Sequence, residues 1–72
     1  MPVVSIRIAK DRSVAEKRSL VENVTSAIVK TLDVKRDWVT VLIEEFESEN
    51  WATGGVLHHD KLGPGFGKQG SE

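Results

Sequence analysis

Met1-Pro2-Val3-Val4-Ser5-Ile6-Arg7-Ile8-Ala9-Lys10-Asp11-Arg12 opens the chain. Across residues 3–8, Val4, Ile6 and Ile8 share one parity with Pro2, while Ser5 and Arg7 share the other with Val3. Apolar β-branched residues at period two predict a strand with one apolar face and one mixed face. Asp11-Arg12-Ser13 ends the alternation, and Ser13-Val14-Ala15-Glu16 has the spacing of a capping box. In that motif the Ser13 hydroxyl and the Glu16 carboxylate each satisfy an amide left over at a helix start. A helix over residues 14–32 is predicted, with Leu20, Val24, Ala27, Ile28 and Leu32 in one apolar stripe and Val21 alongside.

Asp33 to Asp37 is a polar connection, and Trp38-Val39-Thr40-Val41-Leu42-Ile43-Glu44-Glu45 reads as the second strand. Strand, helix and strand with short links predict a βαβ unit with parallel strands and a right-handed crossover. The near-continuous apolar run suggests a strand covered on both faces. One helix covers only one face of the sheet, so the face carrying Val3 and Leu42 needs a partner the chain cannot supply. Trp51-Ala52-Thr53-Gly54-Gly55-Val56-Leu57 places a two-glycine turn between short apolar pieces, the pattern of a small hairpin or of a strand that reaches across to a neighbouring subunit. The expected fold class is therefore α+β: a β-α-β protomer with a small C-terminal hairpin. Residues 1–62 form its domain, and residues 63–72 a flexible glycine-rich tail.

A single core in 72 residues is only marginally able to offset the entropy of ordering the chain. With no cysteine to form disulfides, a homo-oligomer is the expected remedy. The net charge of −1 provides no field for nucleic acid or an anionic membrane, and no apolar run approaches a membrane span. No secretory signal pattern begins the chain, so a cytoplasmic protein is expected.

Several residue groups invite chemistry and are better read otherwise. His58-His59-Asp60 offers adjacent histidines that an extended segment would point to opposite sides, with no evident third ligand, so no metal is expected. Gly63-Pro64-Gly65-Phe66-Gly67 neither follows a strong strand nor opens a helix, unlike a phosphate-binding loop. Glu44, Glu45, Glu47 and Glu49 read as a solvated charge run leaving a strand.

Pro2 is different in kind. Methionine aminopeptidase tolerates a small second residue, and removal of Met1 would leave a secondary amine at the start of a strand. That amine can accept a proton, donate one, or form an iminium ion with a carbonyl. Chains also begin Met-Pro without catalytic consequence, and the dipeptide alone does not separate the two readings. Arg12 is a natural anion-binding partner for such a base, but it lies about 30 Å away along extended chain, so within one subunit the two meet only if the strand folds back, whereas between subunits they can meet. Trp51, in a non-periodic segment before the glycine turn, is placed to line a pocket.

These features together resemble the 4-oxalocrotonate tautomerase subfamily of the tautomerase superfamily. The resemblance covers nearly the whole chain to Leu57 and rests on order and spacing. Met-Pro begins a short strand, Arg12-Ser13 precedes a capped helix containing Lys17, and Val-Leu-Ile-Glu-Glu forms strand two. Asn50-Trp51 and Gly54-Gly55 then follow. The resemblance implies that two protomers form a four-stranded sheet and three such dimers a hexamer. It also implies a cofactor-independent isomerase of aromatic compound degradation, acting on an unsaturated 2-oxo or 2-hydroxy acid. Pro2 would be general base and acid, Arg12 of a neighbouring subunit would bind a substrate carboxylate, and Trp51 would be the aromatic pocket residue. The family's second substrate arginine falls at Thr40, a departure for which Arg7, Lys35 and Arg36 are the candidate substitutes. Two alternatives are a hydratase or dehalogenase of halogenated acrylates, whose water-directing glutamate would fall near Thr53, and a non-catalytic oligomeric binding module.

Overall fold

The computed structural model describes residues 1–62. The expected glycine-rich tail at 63–72 lies outside them. The elements are β1 (Val3–Ala9), α1 (Val14–Leu32), a 3-10 turn at Arg36–Trp38, β2 (Thr40–Phe46), and a second 3-10 turn at Ser48–Asn50. β3 (Ala52–Thr53), β4 (Val56–Leu57) and α2 (His58–Leu62) complete the order.

β1 and β2 pair in parallel, as the βαβ reading requires. Backbone bonds from the two ends of β2 to the residues flanking β1 show the shared direction: Thr40 N–H donates to the Pro2 carbonyl at 3.0 Å, and Lys10 N–H donates to the Phe46 carbonyl at 3.0 Å. Contacts divide the described residues into two compact units, one comprising Met1–Ile6 with Ser13–Glu44 and the other Arg7–Arg12 with residues 45–62.

In the first unit the capping box forms as expected: Glu16 N–H donates to Ser13 Oγ at 3.0 Å, and Ser13 N–H donates to Glu16 Oε1 at 2.9 Å. α1 ends at Asp33, whose left-handed backbone (φ 54°) directs its N–H onto the Val29 carbonyl at 2.9 Å. Aspartate tolerates this conformation better than most residues because its short polar side chain bonds locally. Replacing the cap serine, Ser13→Ala, is expected to lower stability by about 1 kcal/mol, read by thermal unfolding.

Half-burial falls on Pro2, Val4 and Ile6 of the first strand region, on Val41 and Ile43 of β2, and on Leu20, Val21, Val24, Ile28 and Val29 of α1. These are the positions that a helix laid on one sheet face would cover. The opposite sheet face is open: Val3 is 61% and Leu42 51% exposed. No described side chain is fully buried. β2 is thus covered on one face of the protomer, where its apolar run had suggested two.

Two sequence expectations are corrected here. Ala27 and Leu32 are exposed while Val29 is half-buried: Ala27 lies at the edge of the stripe, which runs off the last turn of α1 before Leu32. Trp38 does not begin β2. It closes the Arg36–Trp38 turn through Trp38 N–H to Lys35 carbonyl (3.0 Å), is 44% exposed, and carries the Lys35 ammonium 5.5 Å from its ring centroid.

Candidate active site

Pro2 stands immediately before β1, half-buried, with its carbonyl fixed by the Thr40 N–H. Thr40 is therefore the residue beside Pro2 at this end of β2, and it brings a neutral side chain where the family resemblance calls for a guanidinium. Met1 is 89% exposed and accessible to an aminopeptidase. While Met1 remains, the Pro2 nitrogen is an amide with no basic lone pair. Removal creates the amine.

The cations considered as substitutes are placed differently. Arg36 donates from Nη1 to Ser26 Oγ at 3.1 Å, and Lys35 lies over Trp38. Arg7 belongs to the second compact unit, where it lines a concavity of about 220 Å³ with Phe46, Asn50, Trp51 and Ala52. Arg12 is half-buried in the same unit, just after Asp11, whose φ of 82° marks a left-handed turn out of β1. Arg12 is not among the residues lining the concavity. Of the expected site residues, Trp51 and Arg12 thus share a unit, and Pro2 belongs to the other.

The Trp51 wall is built from neighbours in sequence. The Ser48–Asn50 turn, closed by Asn50 N–H to Glu47 carbonyl (2.9 Å), delivers Asn50 and Trp51 together. Lys10 forms an ion pair with Glu47, and its ammonium is held above the ordinary lysine value by that hydrogen bond, by the Glu47 charge and by Asp11. Phe46 meets the Trp51 ring edge-on at 6.1 Å, and His58 lies tilted against it at 5.8 Å, distances at which aromatic pairs attract.

The histidines depart from the sequence expectation. They start the helical turn α2 instead of lying on an extended segment. His58 N–H donates to the Trp51 carbonyl at 2.8 Å, His58 Nε2 and Thr53 Oγ1 are hydrogen-bonded at 2.9 Å, and Lys61 donates to the Thr53 carbonyl at 3.1 Å. His58 therefore braces Trp51, a role that no motif announced. The hydroxyl of Thr53 is engaged by His58 and supplies no carboxylate to direct a water, which weighs against the dehalogenase alternative. Between β3 and β4, Gly54 and Gly55 both have positive φ (65° and 82°), with register Ala52↔Leu57 and Thr53↔Val56. The space around both glycines is open, so backbone conformation, not crowding, is what requires them. Among the described residues no group of three His, Cys, Asp or Glu is placed to hold a metal ion.

A parallel β-α-β protomer with a glycine-turn hairpin and a proline ahead of its first strand defines the tautomerase-type α+β class. The sequence matches the family described as Tautomerase enzyme over residues 2–61. The chain belongs to the tautomerase superfamily, in its 4-oxalocrotonate tautomerase subfamily. It is 45% identical over 56 residues to the probable tautomerase K2 of Dickeya dadantii, covering 76% of this chain and 84% of that protein. It is also similar to a solved structure from work on the 4-oxalocrotonate tautomerase isozymes of Methylibium petroleiphilum, at 33% identity and TM-score 0.81. That match covers 83% of this chain and 94% of that one. A chain of the heterohexameric 4-oxalocrotonate tautomerase of Chloroflexus aurantiacus matches at 25% identity and TM-score 0.80, covering 83% and 97% respectively.

Proposed function

We propose that the chain is a cofactor-independent keto-enol tautomerase of unsaturated 2-hydroxy or 2-oxo acids, with Pro2 as its proton carrier. The observation that carries this reading is Pro2 itself, fixed through its carbonyl beside β2 beneath a removable, exposed Met1 in a chain of this family. After Met1 is removed, the neutral amine takes the proton of a 2-hydroxyl group. The O–H bond breaks, an N–H bond forms, and the electrons become the C2 carbonyl as the double bonds shift. The new ammonium then returns the proton to carbon and regenerates the free amine. No oxidant, reductant or cofactor enters this balance.

A free α-amine has a pKa of about 7.7–8.0, and a nearby cation favours its neutral form. Arg12, supplied by another protomer, serves that purpose and holds a substrate carboxylate through paired hydrogen bonds. The homo-oligomer, with the heterohexameric relative as precedent, brings together groups that one chain carries in separate units. Trp51 provides an aromatic wall for a planar substrate.

The test is ketonisation of 2-hydroxymuconate, followed by ultraviolet absorbance, using protein whose intact mass shows loss of Met1. Turnover is expected. Absence of turnover by processed, assembled protein, with phenylenolpyruvate as well as with the dicarboxylate, would instead favour the binding-module alternative.

A further inference from the structure

We propose that His58 is a positioning residue for substrate binding: its imidazole, held by the Thr53 hydroxyl, fixes the Trp51 indole in one orientation before substrate arrives. The hairpin register brings the three side chains to one face. Ala52 pairs with Leu57 and Thr53 with Val56 across the glycine turn, so one step beyond the strands Trp51 faces His58. The backbone keeps that step, because His58 N–H donates to the Trp51 carbonyl at 2.8 Å. Residues opposite each other on antiparallel chains project to the same side, and so do residues two apart on one chain. Thr53 therefore stands diagonal to His58 on the side that carries Trp51, and the 2.9 Å bond between Thr53 Oγ1 and His58 Nε2 closes the group.

Trp51 needs such support. It lies between a 3-10 turn and a two-residue strand, and its extended backbone (φ −136°, ψ 117°) admits more than one staggered side-chain rotamer. Two rings restrict the indole. Phe46 comes from the end of β2 and meets it nearly at right angles (86°), whereas the His58 ring lies 33° from its plane with centroids 5.8 Å apart. A ring set close to parallel blocks the swing of the indole toward it, which an edge contact elsewhere does not. Phe46 lines the concavity with Trp51, and His58 is not among its lining residues, so His58 backs the wall without meeting what the concavity holds. His58 is itself anchored: it is half-buried with Nδ1 out of solvent contact, and Lys61 ties the Thr53 carbonyl at 3.1 Å. An imidazole meets both needs, a flat face for the indole and a nitrogen for the hydroxyl. A substrate that had to order the indole itself would bind more weakly, because immobilising a free side chain opposes association.

The inference deepens the tautomerase reading above and rests on it only for the kinetic measurement. Trp51 motion is read first, without substrate, in a Trp38→Phe background, which leaves Trp51 as the one fluorescent indole of the chain's two. In that background His58→Ala should add a fast component to the fluorescence anisotropy decay, at unchanged assembly. In ketonisation of 2-hydroxymuconate the same substitution should raise KM about threefold to tenfold and leave kcat within about twofold, as for loss of preorganised binding. His58→Phe, which keeps a flat ring, should recover most of both losses. Thr53→Val keeps the imidazole and the backbone bond but removes the hydroxyl, and should raise KM by about twofold to fivefold with a matching gain in Trp51 motion. It decides the question if His58→Ala does not assemble. A role confined to stability would instead lower kcat and the unfolding temperature at constant KM, and would overturn the assignment. So would an unchanged anisotropy decay in the folded variants, or no recovery in His58→Phe. If the parent shows no turnover, the tautomerase reading fails, and the anisotropy decay alone then upholds or overturns the fixing of Trp51 by His58.

Discussion

Ketonisation of 2-hydroxymuconate by Pro2→Ala protein is expected to fall by about 10²- to 10⁴-fold, the range usually contributed by a positioned general acid-base group. Alanine also permits removal of the initiator methionine, so the variant still presents an amine. What it loses is the secondary amine and its ring-fixed direction. The bond from Thr40 N–H to the residue-2 carbonyl involves only backbone, so thermal stability should hardly change. This separates a chemical loss from a structural one. In the parent, kcat/KM should rise with pH as the ammonium deprotonates and level off above its pKa, because the base is the neutral form. An undiminished rate in Pro2→Ala, at unchanged assembly, would remove Pro2 from the mechanism.

Leu42→Asp is the second large effect. Leu42 lies on the open face of β2, and Val3 is likewise exposed on β1. In the proposed assembly this face meets another protomer. Each leucine there gains about 1.5–3 kcal/mol from burial, whereas a buried unpaired carboxylate costs several kcal/mol. The variant should therefore sediment as a smaller species and unfold at a lower temperature, with lost activity. Unchanged assembly in Leu42→Asp would show that this face is not an interface. Because the side chain points away from the face that α1 would cover, its substitution should not disturb the protomer's own packing.

Local patterns made much of the fold legible. The period-two run gave β1, and the Ser13–Glu16 box together with the apolar stripe placed α1 at its observed limits. Trp38 shows where such reading stops: aromatic and β-branched residues in succession look like a strand, but the Lys35–Trp38 hydrogen bond turns the chain before β2 begins. α2 was hidden for a related reason. Five residues have too little sequence for a helical period, and what holds the turn is a set of bonds from His58 and Lys61 back to Trp51 and Thr53.

The site divides in the same way. Pro2, Arg12 and Trp51 could be nominated from residue type and order. The meeting of Arg7 with Asn50 and Trp51 could not, because periodicity tells which face Arg7 occupies but not which distant turn comes to lie against it. Nor does a histidine pair announce that its first ring will brace a tryptophan.

The lack of a fully buried side chain among the described residues reaches beyond architecture. In the proposed oligomer, folding and association become a single mass-action equilibrium. Dilution would then erode not only the assembly but the population of ordered chains, and the active fraction would depend steeply on total protein. Specific activity measured across a dilution series would accordingly bend downward at low concentration, and a carboxylate ligand held between protomers would restore it by drawing chains back into the assembled state.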